Sequence, residues 1–356
     1  MRGVVYDAYG AAPHLAELPE PACPDDGVLL RVAATGVCRS DWHAWQGHDP
    51  VPLPMVPGHE LVGEIVEVGP EVRRWGPGAR VTVPFACGCG RCASCAAGAT
   101  HVCPHQTQPG FTRWGSFAEY VALEAADTNL VAVPEALGSV AAAALGCRFA
   151  TAYAALRHAT DGDDLAQASG ETLVVWGCGG VGLSAVALAA AAGLQVVGVD
   201  PAAGARAGAE GLGAAHTLDP TGLDAARLAG AVRDLLGGGA HASIDALGRP
   251  ELLAAGVLSL RPLGRHAQVG LLLADDAAPS VPMGPVIAGE LQIRGVHGLP
   301  AVGYPALFAA IGSLGVDLSR LIGRVVGLAQ APAVLAEMST QAPMPGMSVV
   351  DLAWRL

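Results

Sequence analysis

The chain has 356 residues, of which 52% are hydrophobic and only 15% are charged, so it is too long for a single core and too apolar for a disordered protein. Two domains are therefore expected. Twenty basic residues against 32 acidic ones give a net charge of −12, and no basic cluster is visible. Nucleic acid and anionic membrane surfaces are accordingly poor partners.

The cysteines and the N-terminus indicate the compartment. Four of the nine cysteines lie within fifteen residues, and this crowding favours metal binding in a reducing compartment over a disulfide framework. Residues 1–4 carry no apolar signal segment. A cytoplasmic protein is expected.

The first third of the chain is typical of short strands joined by turns. Residues 3–5, 28–33 and 61–69 are rich in β-branched side chains and bounded by turn residues, and residues 75–83 read as a turn that enters a strand. Residues 111–121 also have a strand pattern. Together they predict a β-barrel-like domain that carries its sites on loops.

Residues 36–60 hold the first candidate metal ligands. The segment begins G-V-C-R-S-D-W-H and ends P-G-H-E. Cys38 and His59 offer a thiolate and an imidazole, which is the ligand set that zinc prefers. Asp41 and Glu60 are carboxylates that would either support these ligands or replace one of them.

Four cysteines follow with the spacing C-x-x-C-x-x-C-x7-C. Four thiolates so close together complete a tetrahedral zinc site and leave no open position. Such a site is structural; the alternative is a set of incidental free cysteines. The four residues are Cys89, Cys92, Cys95 and Cys103.

An alanine-rich helix is predicted over residues 140–156, and it contains Cys147. A cysteine in such a helix is as often part of the core as it is a ligand. The polar residues 158–171 that follow are expected to cross between the domains.

A dinucleotide-binding pattern opens the second domain. A buried strand at 173–176 leads into G-x-G-x-x-G, a helix at 183–192 and a second strand at 196–199, which ends at Asp200. Residues 173–199 carry no charge and are long enough to span a bilayer, but their six glycines favour the strand–turn–helix–strand interpretation. The candidate cofactor residues of the turn are Gly177, Gly179, Gly180, Val181 and Gly182.

Further strands at 243–247, 266–270 and 292–296 alternate with helices and indicate a doubly wound parallel sheet. Val269, in the second of these strands, is another candidate cofactor contact. The predicted domains are a catalytic domain at 1–152, a nucleotide-binding domain at 153–292 and a return to the catalytic domain at 293–356, with a last strand at 349–352.

These motifs resemble those of the zinc-dependent medium-chain alcohol dehydrogenases over essentially the whole chain. The resemblance implies a GroES-like catalytic domain, a Rossmann domain, two zinc ions per chain and a homo-oligomer, either a dimer or a tetramer. It makes Cys147 the third ligand of the catalytic zinc beside Cys38 and His59, with Glu60 just behind the metal. Zinc with an open position would lower the pKa of a bound alcohol, which is otherwise a poor hydride donor.

The same resemblance assigns roles around that zinc. Ser40 and His43 match a relay that carries the alcohol proton to the surface; the alternative for His43 is an ordinary surface histidine. Asp41 is expected to accept the N–H of His59 and fix its tautomer. Arg39 matches a contact to the cofactor pyrophosphate. One departure is that residues 346–349 replace a G-R-x-V segment whose arginine also touches the pyrophosphate.

Asp200 predicts NAD rather than NADP, because it would accept the ribose hydroxyls and no basic residue precedes Arg206 to bind a 2′-phosphate. Aromatic residues near the ligands predict an apolar pocket for an alcohol, aldehyde or ketone. A polyol or amino-alcohol dehydrogenase, and a non-catalytic nucleotide-binding protein, remain alternatives. The candidate pocket residues are Trp45 and Trp114, with Trp42, Phe111 and Phe149 as further members of the aromatic set.

Overall fold

The structure, a computed structural model, describes residues 1–162, 164–339 and 346–353. The strands are β1 (Arg2–Val5), β2 (His14–Glu17), β3 (Val28–Val37), β4 (Glu60–Val68), β5 (Arg80–Thr82), β6 (Tyr120–Leu123), β7 (Val131–Ala132), β8 (Thr172–Trp176), β9 (Gln195–Val199), β10 (His216–Leu218), β11 (Ala240–Asp245), β12 (Leu260–Gln268), β13 (Gln292–Gly295), β14 (Ile322–Val326) and β15 (Met347–Asp351).

The helices are α1 (Arg39–Trp45), α2 (Ala93–Ala96), α3 (Ala126–Asn129), α4 (Ser139–Ala143), α5 (Ala150–Thr160), α6 (Gly180–Ala191), α7 (Ala203–Gly211), α8 (Ala225–Leu236), α9 (Pro250–Leu258), α10 (Met283–Ala288), α11 (Tyr304–Leu314) and α12 (Ala331–Glu337). Leu145–Phe149 forms one turn of π-helix. Short 3-10 turns lie at Thr100–Val102, Leu165–Ala168, Ala274–Ala277, Ala301–Gly303, Leu318–Leu321 and Leu328–Gln330.

The first sheet has the strand order β14-β15-β3-β4-β5-β7, and β6 pairs with β3 beside it. Its pairs are antiparallel except β14 with β15. The last strand therefore returns from the far end of the chain to pair with β3. This mainly antiparallel sheet closes over apolar β-branched side chains, as expected of a barrel-like domain.

The strand predicted at 111–121 is wrong for most of its length, because only Tyr120–Leu123 pairs with the sheet. The preceding residues turn against the loop before His59. The N–H groups of Gly115 and Ser116 donate to the carbonyls of Val56 and Gly58, at 2.7 and 2.9 Å. A Cβ on Gly115 would lie 2.2 Å from the Gly58 carbonyl oxygen, so only glycine permits this approach.

The second sheet has the order β10-β9-β8-β11-β12-β13 and all its pairs are parallel. The order of the strands along the sequence reverses between β8 and β11, and a doubly wound sheet binds its ligand at such a point. Residues 173–199 divide into β8, α6 and β9. No helix in the described part of the chain is both long and apolar enough to cross a membrane.

The helix predicted at 140–156 is interrupted. The chain forms α4, then the π turn, and then α5, which continues into the predicted crossing at 158–171. Residue 163 of that crossing lies outside the described residues. The π turn, α5 and α6 share the largest apolar cluster with Tyr304 of α11, so the Cys147 turn is fixed between the two sheets by packing.

Candidate metal centres and cofactor cleft

Four metal-ligating side chains from distant parts of the sequence meet at one point. The ligand atoms of Cys38, His59, Glu60 and Cys147 all lie within 4.8 Å of one another. Cys38 caps α1, His59 and Glu60 stand at the start of β4, and Cys147 lies in the π turn. Cys38, His59 and Glu60 therefore stand at the ends of regular elements, whereas Cys147 is the middle residue of the π turn.

The buried carboxylate of Asp41 orders the first part of this group. Its oxygens accept the N–H groups of Cys38 and Gly58, at 2.9 and 3.0 Å, and lie 2.8 Å from Nδ1 of His59. This is the contact expected of Asp41. With Nδ1 paired, Nε2 of His59 is buried and finds no hydrogen-bond partner among the described residues, so it is the nitrogen left for a metal.

The π turn presents Cys147 to the same point. Phe149 N–H reaches back to the carbonyl of Ala144 at 3.4 Å, five residues earlier, which widens this turn relative to an α-helix. Phe85 N–H and the Tyr304 hydroxyl satisfy the Gly146 carbonyl, at 3.0 and 3.4 Å. A buried helix turn of this kind is typical of functional sites, and its sequence gives no sign of it.

Arg148 is a site residue that the sequence interpretation missed. Its backbone N–H donates to Glu60 Oε1 at 2.8 Å, its Nε lies 2.9 Å from both carboxylate oxygens, and its Nη2 forms a further short contact to Oε2. Burial raises the pKa of Glu60, and the Arg148 guanidinium opposes that rise. The ion pair therefore offsets part of the cost of burying this carboxylate beside the thiols.

The electrostatics of the group suit a divalent cation. A hydrogen bond from the Cys147 thiol holds the pKa of Cys38 well below its ordinary value, although burial opposes this. Burial lowers the pKa of His59, but the Asp41 carboxylate outweighs it and raises this pKa well above 6.5. A site that favours a proton on Nε2 and a thiolate beside it also favours a metal ion, and two sulfurs with one imidazole match zinc.

The second group of donors lies in a loop region around α2. The Sγ atoms of Cys89, Cys92, Cys95 and Cys103 lie within 4.8 Å of one another. Cys92 Sγ is 3.5 Å from the sulfurs of both Cys95 and Cys103, and a backbone hydrogen bond from Cys95 lowers the pKa of Cys92 to about 6. Because four thiolates would fill all positions of a tetrahedral zinc, this group fits a closed structural site.

The remaining cysteines lie outside both groups. Cys87 is buried below the four-cysteine loop and Cys178 is buried in the glycine turn. Burial raises the pKa of each to about 12, so both are inert core residues.

The predicted relay residues lie on α1. Ser40 Oγ is 3.8 Å from Cys38 Sγ. His43 Nδ1 lies 3.1 Å from Nδ1 of His48, a histidine that the sequence interpretation left out. Burial, His48 and Arg39 lower the pKa of His43 below 6.5, so this imidazole is neutral and able to accept a proton at neutral pH.

Arg39 is held on the outside of the same helix. Its Nη1 donates to the Met338 carbonyl at 2.7 Å, and its guanidinium lies 5.0 Å from the centroid of the Trp42 ring. Trp42 in turn donates to the Ser339 hydroxyl at 2.7 Å. Both side chains therefore tie α1 to the end of α12, and Arg39 must leave this contact before it can reach a pyrophosphate.

The glycine-rich turn between β8 and α6 has the close geometry that dinucleotide binding requires. Gly177 has a φ of +92°, and a Cβ on Gly182 would lie 1.8 Å from the Gly177 carbonyl oxygen. Asp200 ends β9, and its carboxylate accepts the N–H groups of Cys178 and Ala202, at 2.9 and 2.8 Å. The turn, the helix N-terminus and this carboxylate form one pocket edge.

Comparison with known proteins identifies this combination of sites. Residues 24–135 match the alcohol dehydrogenase GroES-like domain and residues 180–313 match the zinc-binding dehydrogenase domain. An alcohol dehydrogenase of Geobacillus stearothermophilus is 32% identical over 282 residues, which cover 78% of this chain and 80% of that protein. The chain belongs to the zinc-dependent alcohol dehydrogenase family of medium-chain dehydrogenases/reductases. It is accordingly an oxidoreductase.

Members of this family differ in their substrate and in the nicotinamide dinucleotide that they bind. An L-threonine 3-dehydrogenase of Streptomyces coelicolor is 32% identical over 293 residues, which cover 80% of each chain. A zinc-binding dehydrogenase of Sinorhizobium meliloti, solved bound to NADP, is 28% identical, covers 98% of each chain and has a TM-score of 0.82. Membership therefore establishes the fold and the class of reaction but not the alcohol.

The structure places the aromatic residues differently from the sequence prediction. Trp45 is part of the barrel core and donates to the Ala11 carbonyl at 2.6 Å. Trp114 donates to the Pro54 carbonyl and lines a cleft that contains none of the four donors. Phe149 is buried in the other core. Trp45, Trp114 and Phe149 thus pack away from the four donors, and their assignment to a substrate pocket stays a prediction.

Two phenylalanines do face the metal-ligating histidine. The rings of Phe111 and Phe85 have centroids 5.3 and 6.2 Å from that of His59. Phe85 also packs against His297, 5.1 Å away, at one end of a cleft of about 350 Å³ that Val269 lines too. Only Phe111 belongs to the aromatic set named from the sequence. No local sequence pattern around Phe85 or His297 indicates that they lie near the candidate site.

Proposed function

We propose that the protein is a zinc- and NAD-dependent dehydrogenase that interconverts a small apolar primary or secondary alcohol and its aldehyde or ketone. The observation that carries this is the meeting of Cys38, His59, Glu60 and Cys147 within 4.8 Å, with an unpartnered His59 nitrogen, in a chain that also has the glycine turn. A nucleotide-binding protein without activity has no need of such a donor set.

Cys38, His59 and Cys147 would hold a catalytic zinc, with Glu60 kept behind it by Arg148. The four-cysteine loop would hold a second, structural zinc. When bound, the catalytic zinc would lower the pKa of the alcohol and the nicotinamide would accept its hydride. Asp41 contributes by fixing His59 in the tautomer whose Nε2 is free.

The protein groups that handle the proton lie on α1. Ser40 stands beside Cys38, and its hydroxyl would accept the alcohol proton while passing its own proton on toward His43, which is neutral at pH 7. Nδ1 of His48 lies 3.1 Å from Nδ1 of His43, so the two imidazoles are within hydrogen-bond distance. The expected route therefore ends in a pair of imidazoles open to solvent.

We propose NAD as the cofactor because of the charges around Asp200. Its carboxylate lies at the end of β9, where it would accept the hydroxyls of the adenosine ribose and would repel a 2′-phosphate. Arg206 lies close by, since it donates to the Asp200 carbonyl oxygen at 2.7 Å, but its guanidinium is paired with Asp219 at 3.1 Å. The NADP-bound relative makes a direct comparison of the two cofactors essential.

An apolar substrate is supported by Phe85 and Phe111, which flank His59. A second candidate, a hydroxylated or amino alcohol, is favoured by a different observation. Histidines 101, 158 and 297 line the adjoining cleft, and buried nitrogens of His101 and His297 find no hydrogen-bond partner within the described part of the chain. Such nitrogens would bind a second polar group of the substrate.

The test is kcat/KM of the zinc-loaded enzyme with NAD across ethanol, butanol, hexanol, benzyl alcohol, glycerol, sorbitol and threonine. An apolar pocket should give about a fourfold rise per added methylene until it is full. Phe111→Ala should flatten that series. Sorbitol or threonine exceeding hexanol, with His297→Ala abolishing the excess, would instead support the polar alternative. No activity with any alcohol would reject the proposed function.

A further inference from the structure

The guanidinium of Arg148 lies between the metal-ligating group and the glycine-rich turn. The residue is 7% exposed, and its Nε and Nη2 bind the Glu60 carboxylate. Its backbone position, directly after Cys147, places it at the π turn, which packs against α6. One cation therefore reaches both sites.

Two glycines make room for this side chain. A Cβ added to Gly180, the first residue of α6, would lie 2.4 Å from Cδ and 3.3 Å from Nη1 of Arg148. A Cβ added to Gly36 in β3 would lie 2.8 Å from Nη2. The guanidinium is thus packed between the barrel and the start of the cofactor-binding helix, where any larger residue would displace it.

The three nitrogens of the guanidinium are not used equally. Nε and Nη2 donate to Glu60, whereas Nη1 makes no hydrogen bond to any of the residues that the structure describes. Nη1 is also the nitrogen that lies nearest to Gly180. A charged donor on a largely buried side chain thus lies beside the first turn of α6, whose own N–H groups have no intrahelical acceptor.

The other arginines considered as anion ligands, Arg39 and Arg324, bind other groups of the protein. Arg39 is bound to the Met338 carbonyl and lies against Trp42. Arg324, on the strand that pairs with β15, binds Glu337 and Ser348. Arg148 alone of these three directs an unpaired N–H toward the glycine turn. Together with the positive end of α6, it forms a site for an anion of at least one negative charge.

We propose that Nη1 of Arg148 binds the pyrophosphate of the dinucleotide while Nε and Nη2 continue to hold Glu60. This inference depends on the proposed function, because it needs a nicotinamide dinucleotide in the cleft. A single guanidinium then links the cofactor to the carboxylate behind the metal. Since the Glu60 carboxylate partly neutralises this cation, removing the carboxylate charge should strengthen pyrophosphate binding.

The test measures binding of ADP-ribose, which carries the pyrophosphate, and of adenosine, which does not, by calorimetry on zinc-loaded protein. Arg148→Gln should weaken ADP-ribose binding about tenfold or more, because a charge-assisted hydrogen bond to a phosphate is lost. It should change adenosine binding less than about twofold. Arg148→Lys should have an intermediate affinity for ADP-ribose, since lysine keeps the positive charge but lacks the planar guanidinium with its several N–H donors.

Arg265→Gln is the matched control. Arg265 pairs with Glu171 at 3.0 Å, and its side chain is 17% exposed, so its replacement also breaks a partly buried ion pair. We expect it to lower the melting temperature while leaving the ratio of ADP-ribose to adenosine affinity unchanged. A change in that ratio in Arg265→Gln would show that the ratio reports general destabilisation and would overturn the proposal.

If Arg148→Gln does not fold because Glu60 is left unpaired, the comparison is made between Glu60→Gln and the double variant Glu60→Gln/Arg148→Gln. Glu60→Gln alone should bind ADP-ribose more tightly than the wild type, and the second change should remove at least tenfold. Equal losses for both ligands, or no loss for ADP-ribose, would overturn the role of Arg148. Failure of the wild type to bind either NAD or ADP-ribose would instead reject the proposed function, and this inference with it.

Discussion

The two groups of metal-ligating residues are built in opposite ways. The four cysteines around α2 are close in sequence and lie in partly exposed loops, so the chain between them is short and has little other structure. Cys38, His59, Glu60 and Cys147 come from three distant segments and are held by α1, β4 and the π turn within packed cores. A metal should therefore hold the first group together, whereas the fold already holds the second.

The largest expected effect tests the first half of that comparison. Cys92→Ser should lower the free energy of unfolding by about 5 kcal/mol and the melting temperature by about 10 °C, because a structural zinc held by these cysteines would contribute directly to folding of the loop. Calorimetric unfolding with elemental analysis would measure both, with zinc falling from two per chain to one. Cys23→Ser, outside both groups, is the control and should change neither value.

Cys147→Ala tests the second half of the comparison, in which the fold holds Cys38, His59, Glu60 and Cys147 in place without a metal. The fold should survive, because the π turn is held by Phe85 and Tyr304, while zinc falls from two to one per chain. Activity should fall by about a thousandfold or more, since the remaining ligands no longer fix the metal. Unfolding as severe as that of Cys92→Ser would show that this metal, too, is structural and would contradict the comparison.

Asp41→Asn sharpens the comparison, since it changes a residue that touches no metal. Loss of the charged acceptor for His59 should weaken zinc binding at this site by about 10- to 100-fold, measured as zinc release to a chelator. Asp245→Asn is the matched control: Asp245 is also fully buried and accepts the N–H groups of Leu247 and Gly248. It should cost stability without speeding zinc release.

Asp200→Ala extends the test to the nucleotide-binding half. The NAD preference, taken as the ratio of kcat/KM for NAD to that for NADP, should fall by about tenfold, because the carboxylate that repels a 2′-phosphate is gone. Adding Asp219→Asn should free Arg206 and narrow the ratio further. A wild type that already prefers NADP would contradict the assignment of the cofactor.

The smallest effect is expected at His43. Its pKa lies below 6.5, so its neutral form should persist into mildly acidic solution and alcohol oxidation should fall only as the pH drops through that lowered pKa. His43→Gln should reduce kcat by about tenfold and should remove this fall in activity at low pH. Added buffer base should partly restore the activity of the variant. His14→Gln, on the exposed strand β2, should leave the profile unchanged. If His43→Gln loses activity at low pH as the wild type does, His43 is not part of the proton relay.

Part of the candidate site could be predicted because its signals are local. The spacing of the four cysteines, the G-x-G-x-x-G turn with Asp200, and the pairing of Cys38 with His59 each depend on a short stretch of chain. The role expected of Asp41 corresponds to a contact that the structure contains. The strand predicted at 111–121 was wrong for most of its length because N–H groups of this segment bind the loop before His59 instead of the sheet.

The sequence by itself determined the family, the two-domain fold and the two sets of candidate metal ligands, because short-range spacing and hydrophobic period record local geometry directly. Only the tertiary structure decided that Arg148 binds Glu60 and reaches Gly180, that Phe85 and Phe111 face His59, and that Trp45 and Trp114 do not line the candidate site. These outcomes depend on which side chains meet after distant strands pair and cores close. No single stretch of sequence encodes such contacts, since each is fixed by packing against residues far away in the chain.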